Sequence, residues 1–251
     1  MMNLGNMDDA IIRNYRSLRK RIGFLALAFP LILIVVGYFW SIKVQPTLSN
    51  YYFAQDTVSG RVDLTPARLW FCGILFVVAF FLFRYQGFSK NEDRWLSAAG
   101  FFAAGIAIFP MTIGGHNDYD FLLAWTGLTQ YISMHGICAV VAFVCIMIVI
   151  VWYADSTLSE LKDTQPAEYK MFKTIYFAIA VFMVVAIGIS IYLNIRYPQG
   201  DYILTAEWAG IWSFAAYWFV KNWELSYVGE IMKSRARPLP QMTEADLADK
   251  I

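Results

Sequence analysis

The sequence predicts an all-α protein, a polytopic transmembrane helical bundle of six spans with both termini cytoplasmic. Composition is the first of three observations behind this reading. Of 251 residues, 59% are hydrophobic and 16% charged, whereas soluble domains average about 45–50% apolar and about 25% charged. The second is a set of six apolar stretches of bilayer length, and the third is a concentration of Lys and Arg in alternate connections. A net charge of +1 provides no global field for nucleic acid, so charge is read by position.

A bilayer core of about 30 Å requires about 20 apolar residues in a helix, because lipid satisfies no backbone polar group. Residues 22–42 are uncharged and form the first span. A largely polar segment of about twenty residues precedes it, its apolar run is longer than a secretory signal's, and no A-x-A-like site follows, so it reads as an uncleaved anchor. Residues 69–83 lie between Arg68 and Arg84, whose long stems snorkel and allow a short run to cross. Residues 95–113 form the third span. The run 121–154 is too long for one upright helix, so the fourth span is placed at 132–153 and residues 121–131 are interfacial or re-entrant. Residues 174–195 and 202–220 are the fifth and sixth spans, the last interrupted only by Glu207. Trp40, Trp70, Tyr85, Trp95, Trp152, Tyr192 and Trp218 are among the aromatics near span ends, as interfacial anchoring requires.

Orientation follows from the basic residues, which short cytoplasmic loops retain. With the N-terminus inside, the inner segments hold sixteen of the 20 Lys and Arg. The outer side keeps Lys43, Arg61, Arg68 and Arg196. The bacterial inner membrane is the expected location. The chain then divides into a cytoplasmic segment at 1–21, a six-helix membrane domain at 22–221 and a cytoplasmic tail at 222–251, with membrane lipids as partners. Lys233, Arg235 and Arg237 in the tail are placed to touch anionic lipid.

Cys72, Cys138 and Cys145 fall inside spans without a C-x-x-C pair and read as packing residues. Ala99, Ala103 and Ala107 repeat every four residues beside Gly100 and Ala104, so the third span admits a close neighbour.

Ionisable groups inside a bilayer cost about 2.5–3.5 kcal/mol at a helix centre on insertion scales, so they face a protein interior or a wet cavity. Glu207 lies about one turn inside the outer end of the sixth span and shares a helix face with Phe214, Trp218 and Lys221. Lys221 is near the inner end, roughly 21 Å away at 1.5 Å per residue, so each needs a different partner. His135 opens the fourth span at the outer level above Ala139, Ala142 and Ile146, and Arg68 begins the second span on the same side. Arg68, His135 and Glu207 therefore meet near one plane, with Ser49, Tyr51 and Tyr52 of the first outer loop in reach. Two readings stay open: a binding site, or an interhelical lock in which Arg68 neutralises Glu207 while His135 caps a helix end.

His116, Asp118 and Asp120, in a Gly-Gly-His-Asn-Asp-Tyr-Asp run of the next outer loop, carry ligands for a divalent cation, and the same run suits an exposed turn. No phosphate loop, H-E-x-x-H pair or nucleophile elbow occurs. No cofactor is implied.

The run Ser49-Asn50-Tyr51-Tyr52, then Arg68-Leu69-Trp70-Phe71-Cys72-Gly73, Tyr85-Gln86-Gly87 with Glu92, Ala99-Gly100, Phe109-Pro110, His135, and Glu207 with Trp218 and Lys221, resembles a group of six-span bacterial membrane proteins designated as a domain of unknown function. More distantly it is similar to the DRAM and Sfk-like membrane proteins. The resemblance covers residues 49–221 and implies that Arg68, His135 and Glu207 belong to one pattern. The expected function is non-enzymatic: an outward-facing polar cavity that binds a lipid headgroup or small solute. Two alternatives are a membrane-embedded hydrolase of lipid amides or esters, with His116, His135 and carboxylates on a metal, and a proton- or ion-coupled transporter in which Glu207 titrates.

Overall fold

The computed structural model describes residues 4–54, 66–87, 89–109, 111, 133–197 and 200–236. Six long helices carry the architecture: α1 (Leu4–Phe39), α2 (Pro66–Arg84), α3 (Lys90–Ile108), α4 (Met134–Ile148), α5 (Pro166–Arg196) and α6 (Tyr202–Ala236). Among the described residues there is no strand. Four stretches, Arg16–Phe39, Pro66–Arg84, Met134–Tyr153 and Pro166–Arg196, are long and apolar enough to cross a membrane. The third helix ends at Ile108, before the expected limit of its span. The first and last helices continue well past theirs, to Leu4 and to Ala236.

Local chemistry sets several of these ends. Ser89 caps α3 by accepting the Glu92 amide at 3.1 Å, and Ser133 caps α4 by accepting the Gly136 amide at 3.0 Å. Each satisfies a donor that the first turn leaves unpaired. Pro66 and Pro166 open α2 and α5, where proline's missing N–H costs nothing. After Ile148 the fourth helix widens into a π-helical turn, Val149–Tyr153, then tightens into a 3-10 turn, Ala154–Thr157.

Extended contacts join α5 to α6, α6 to α1, α1 to α2, α2 to α3 and α3 to α4, while the π-helical turn meets α5. The helices thus run alternately between two ends, one marked by Ser49 and the other by Lys221. The small-residue stripe of α3 works as expected: Ala99, Ala103 and Ala107 are buried, and a Cβ on Gly100 would sit 2.8 Å from the Ala79 carbonyl oxygen of α2. The outward faces stay apolar, with Phe80, Phe177, Tyr192 and Ile195 each at least 65% exposed. Large apolar surfaces of this kind belong against lipid rather than water.

Candidate functional site

The site begins where α1 stops. Ser41 takes a left-handed φ of 53° and the Ile42 amide donates back to the Gly37 carbonyl at 2.8 Å, which turns the chain. It returns over the helix ends as a 3-10 turn, Ser49–Tyr52, fixed by the Asn50 amide donating to Thr47 Oγ1 at 3.0 Å. Leu48 and Tyr51 sink into a cluster with Leu33 of α1 and Phe71 of α2. A Cβ on Gly37 would lie 3.2 Å from the Tyr51 ring, so glycine lets the turn lie close. This burial pushes the Tyr51 phenol above its ordinary pKa by desolvation.

Anchored in this way, Ser49 enters the space between α4 and α6. Its Oγ is 2.8 Å from Glu207 Oε1 and 2.9 Å from His135 Nε2, and the Leu48 amide donates to Glu207 Oε2 at 2.5 Å. His135 Nδ1 lies 2.8 Å from the Phe109 carbonyl oxygen at the end of α3. A carbonyl only accepts, so Nδ1 carries a hydrogen and Nε2 is the atom turned to Ser49. Ser49, His135 and Glu207, predicted from three separate segments, form one chain of hydrogen bonds.

Among the described residues, two hollows have Ser49 and Glu207 of this chain in their walls. One, of about 110 Å³, lies inside the bundle and is otherwise apolar, lined by Phe29, Phe71, Ala103 and Phe214 among others. The second, about 560 Å³, is a groove between α4 and α5, headed by Ser49, His135 and Glu207 and floored by Val140, Val144, Val184 and Ile187. Ala139, Phe143, Ser49 and Glu207 line both. Ala139 lies below His135, as its face on the fourth span predicts.

No family model matches the chain, and no curated protein or solved structure matches it either. Its site is read from geometry alone.

Arg68 takes a different place from the one the sequence suggests. Its guanidinium donates to Tyr52 Oη at 2.7 Å and stacks 4.1 Å over that ring, while Glu207 is held by Ser49 and the Leu48 amide. A planar cation over an aromatic face is well placed without a carboxylate partner. Among the described residues no three His, Cys, Asp or Glu side chains gather as metal ligands. His116, Asp118, Asp120 and residues 121–131 lie outside the described residues.

At the opposite end Lys221 is fully buried and donates to the Ala154 carbonyl at 2.5 Å, to Thr157 Oγ1 at 2.7 Å and to Glu224 Oε2 at 3.4 Å. Glu224 also accepts from Thr157 and, at 2.5 Å, from Tyr176 of α5. Buried Glu92 of α3 accepts from Ser156 at 3.2 Å and from Tyr217 at 3.4 Å. Glu224 was legible as an acid three residues beyond Lys221, a helical pairing distance. The Ala154 carbonyl was not, because only the wide π-helical turn brings it to the lysine.

Proposed function

We propose that this chain is a six-span protein of the bacterial inner membrane, both termini cytoplasmic, that binds an amphiphile in a laterally open groove on its outward half. The polar head lies at Ser49, His135 and Glu207, and the apolar tail lies between α4 and α5. The observation that carries this reading is the groove itself. It is polar at one end only and opens between two helices whose outer faces are apolar. A volume of about 560 Å³ falls inside the about 300–1,000 Å³ typical of small-molecule sites. Six crossings are supported by the placement of Ser49, His135 and Glu207 at one end with Glu92, Ser156 and Lys221 at the other. An inside N-terminus is supported by the basic residues, which concentrate at the Lys221 end.

The test is mass spectrometry of what the protein retains through purification in mild detergent. A Cβ on Gly188 meets nothing within 4 Å, and this glycine lines the groove. Gly188→Trp therefore fills the groove without displacing backbone. Wild type is expected to carry a bound amphiphile and Gly188→Trp to lose most of it. Equal occupancy in both proteins, or none in wild type, would refute the reading.

A further inference from the structure

A count of hydrogens gives the outer site a second property. Two hydrogen bonds run from Glu207 Oε1 to Ser49 Oγ and from Ser49 Oγ to His135 Nε2, at 2.8 and 2.9 Å, and each needs one hydrogen between its heavy atoms. Ser49 has a single hydroxyl hydrogen. His135 Nδ1–H is already committed to the Phe109 carbonyl. The second hydrogen must therefore be an acid proton, held by one of two groups. In one arrangement protonated Glu207 donates to Ser49, and Ser49 donates to a neutral imidazole. In the other Ser49 donates to the Glu207 carboxylate, and an imidazolium donates to Ser49. The three side chains carry no net charge in either case and differ by transfer of two hydrogens along the chain. The Leu48 amide donates to Glu207 Oε2 in both.

Removing that proton to water leaves one unit of negative charge and one acceptor facing another without a hydrogen. This costs heavily in a low-dielectric setting unless a cation arrives. Among the described residues, no neighbour places a cation on Glu207. α5 contributes Met183, Val184, Ile187, Gly188 and Ile191 to the groove, and no charged side chain. The titratable groups around the site are Tyr51 and Tyr52 of the turn, Cys72 and Arg68 of α2, and Cys138 of α4. Arg68 is committed to Tyr52, Cys72 to the Ala107 carbonyl at 3.7 Å, and Cys138 is buried. The groove is the described route by which a cation with an apolar tail reaches Glu207.

We infer that Glu207, Ser49 and His135 form a one-proton exchange site, releasing a shared proton to water when a single-chain amphiphile with a cationic head enters the groove. This rests on the groove binding an amphiphile, and it names the ligand's charge and the ion exchanged for it.

The experiment uses the full chain in nanodiscs of neutral lipid, in weakly buffered solution with a pH indicator, titrated with dodecyltrimethylammonium. This probe has no exchangeable proton, so every proton released comes from the protein. Release of about one proton per cation bound is expected, with affinity rising about tenfold per pH unit while the site is protonated, as linkage requires. Glu207→Gln should lose both effects. Dodecanol should bind wild type with no proton release and no pH dependence. Cation binding without release, or release that persists in Glu207→Gln, overturns the exchange. Dodecanol binding without any cation binding overturns the exchange alone, whereas failure of both probes ends the groove reading as well.

Discussion

Glu207 and Lys221 occupy one face of α6, Glu207 near its start and Lys221 near its middle, and their surroundings differ in what they leave unfilled. Lys221 has three hydrogens and three acceptors, and Glu224 collects donors from Lys221, Thr157 and Tyr176. Each hydrogen there has one position, and a hollow at that end, beside Arg19, Tyr85 and Trp218, is about 40 Å³. Glu207 shares a hydrogen-bond chain that admits two proton placements, and it borders about 560 Å³ of groove. Similar residue types thus make a lock at one end and a site at the other. The difference lies in the match of donors to acceptors and in adjacent space, rather than in charge or burial.

The sharpest way to break this comparison is to remove the lysine. Lys221→Met leaves the Glu224 carboxylate buried without its cation, and losses of about 3–5 kcal/mol accompany such half-removed buried pairs. A large fall in melting temperature in detergent is expected, with amphiphile occupancy of the surviving folded protein unchanged. Adding Glu224→Leu should restore most of the stability, since apolar replacement of a whole buried pair is often neutral or better. A melting temperature for Lys221→Met equal to wild type would show that the Lys221 cluster is no lock.

Next in size is the packing that holds both ends in register. A Cβ at Gly100 would meet the Ala79 carbonyl at 2.8 Å, whereas one at Gly73 meets nothing within 4 Å. Gly100→Ala is expected to cost about 1–3 kcal/mol, because backbone rather than a flexible tip must move. Gly73→Ala should hold or gain up to about 1 kcal/mol from helix propensity. Equal melting temperatures for the two variants would mean that α2 and α3 do not pack as closely as described.

The contrast between the ends also explains what could be read from the sequence. Each apolar stretch overlaps a long helix, and four of these helices are long and apolar enough to cross a membrane, because periodicity and length are local properties. His135 and Glu207 stand out as ionisable residues near one end of an apolar run, Ser49 is a loop residue within reach of them, and alternation of loops places those ends together. Of the two readings that charge left open for Arg68, pairing with Glu207 is not the contact made: a π-face on Tyr52 takes the guanidinium and the Leu48 amide serves Glu207, and backbone donors leave no mark in a sequence. The lock at Lys221 was half visible. Glu224 follows Lys221 at helical spacing, but Ala154 and Thr157 reach it only through a π-helical turn that no residue pattern announced.

A smaller effect tests whether Arg68 belongs to the site. Tyr52→Phe removes the hydroxyl that accepts from the guanidinium at 2.7 Å and keeps the ring beneath it. The expected cost is about 0.5–1.5 kcal/mol, the ordinary worth of one hydrogen bond, with occupancy of the groove unaltered. A fall in occupancy comparable with that of Gly188→Trp would return Arg68 to the binding machinery.

The smallest predicted change in stability belongs to Gly210→Ala. Its Cβ would lie 2.5 Å from the Phe143 ring, closer than the contact at Gly100, yet that ring borders both hollows. A ring tip beside empty space moves more cheaply than a carbonyl in a packed helix pair, so the gain in helix propensity roughly offsets the displacement. A melting temperature near wild type is expected, with weaker retention of the amphiphile because Phe143 swings into the space its tail would use. A loss as large as that of Gly100→Ala would mean that this space does not yield, and the Glu207 end would then be packed as firmly as the lock it is contrasted with.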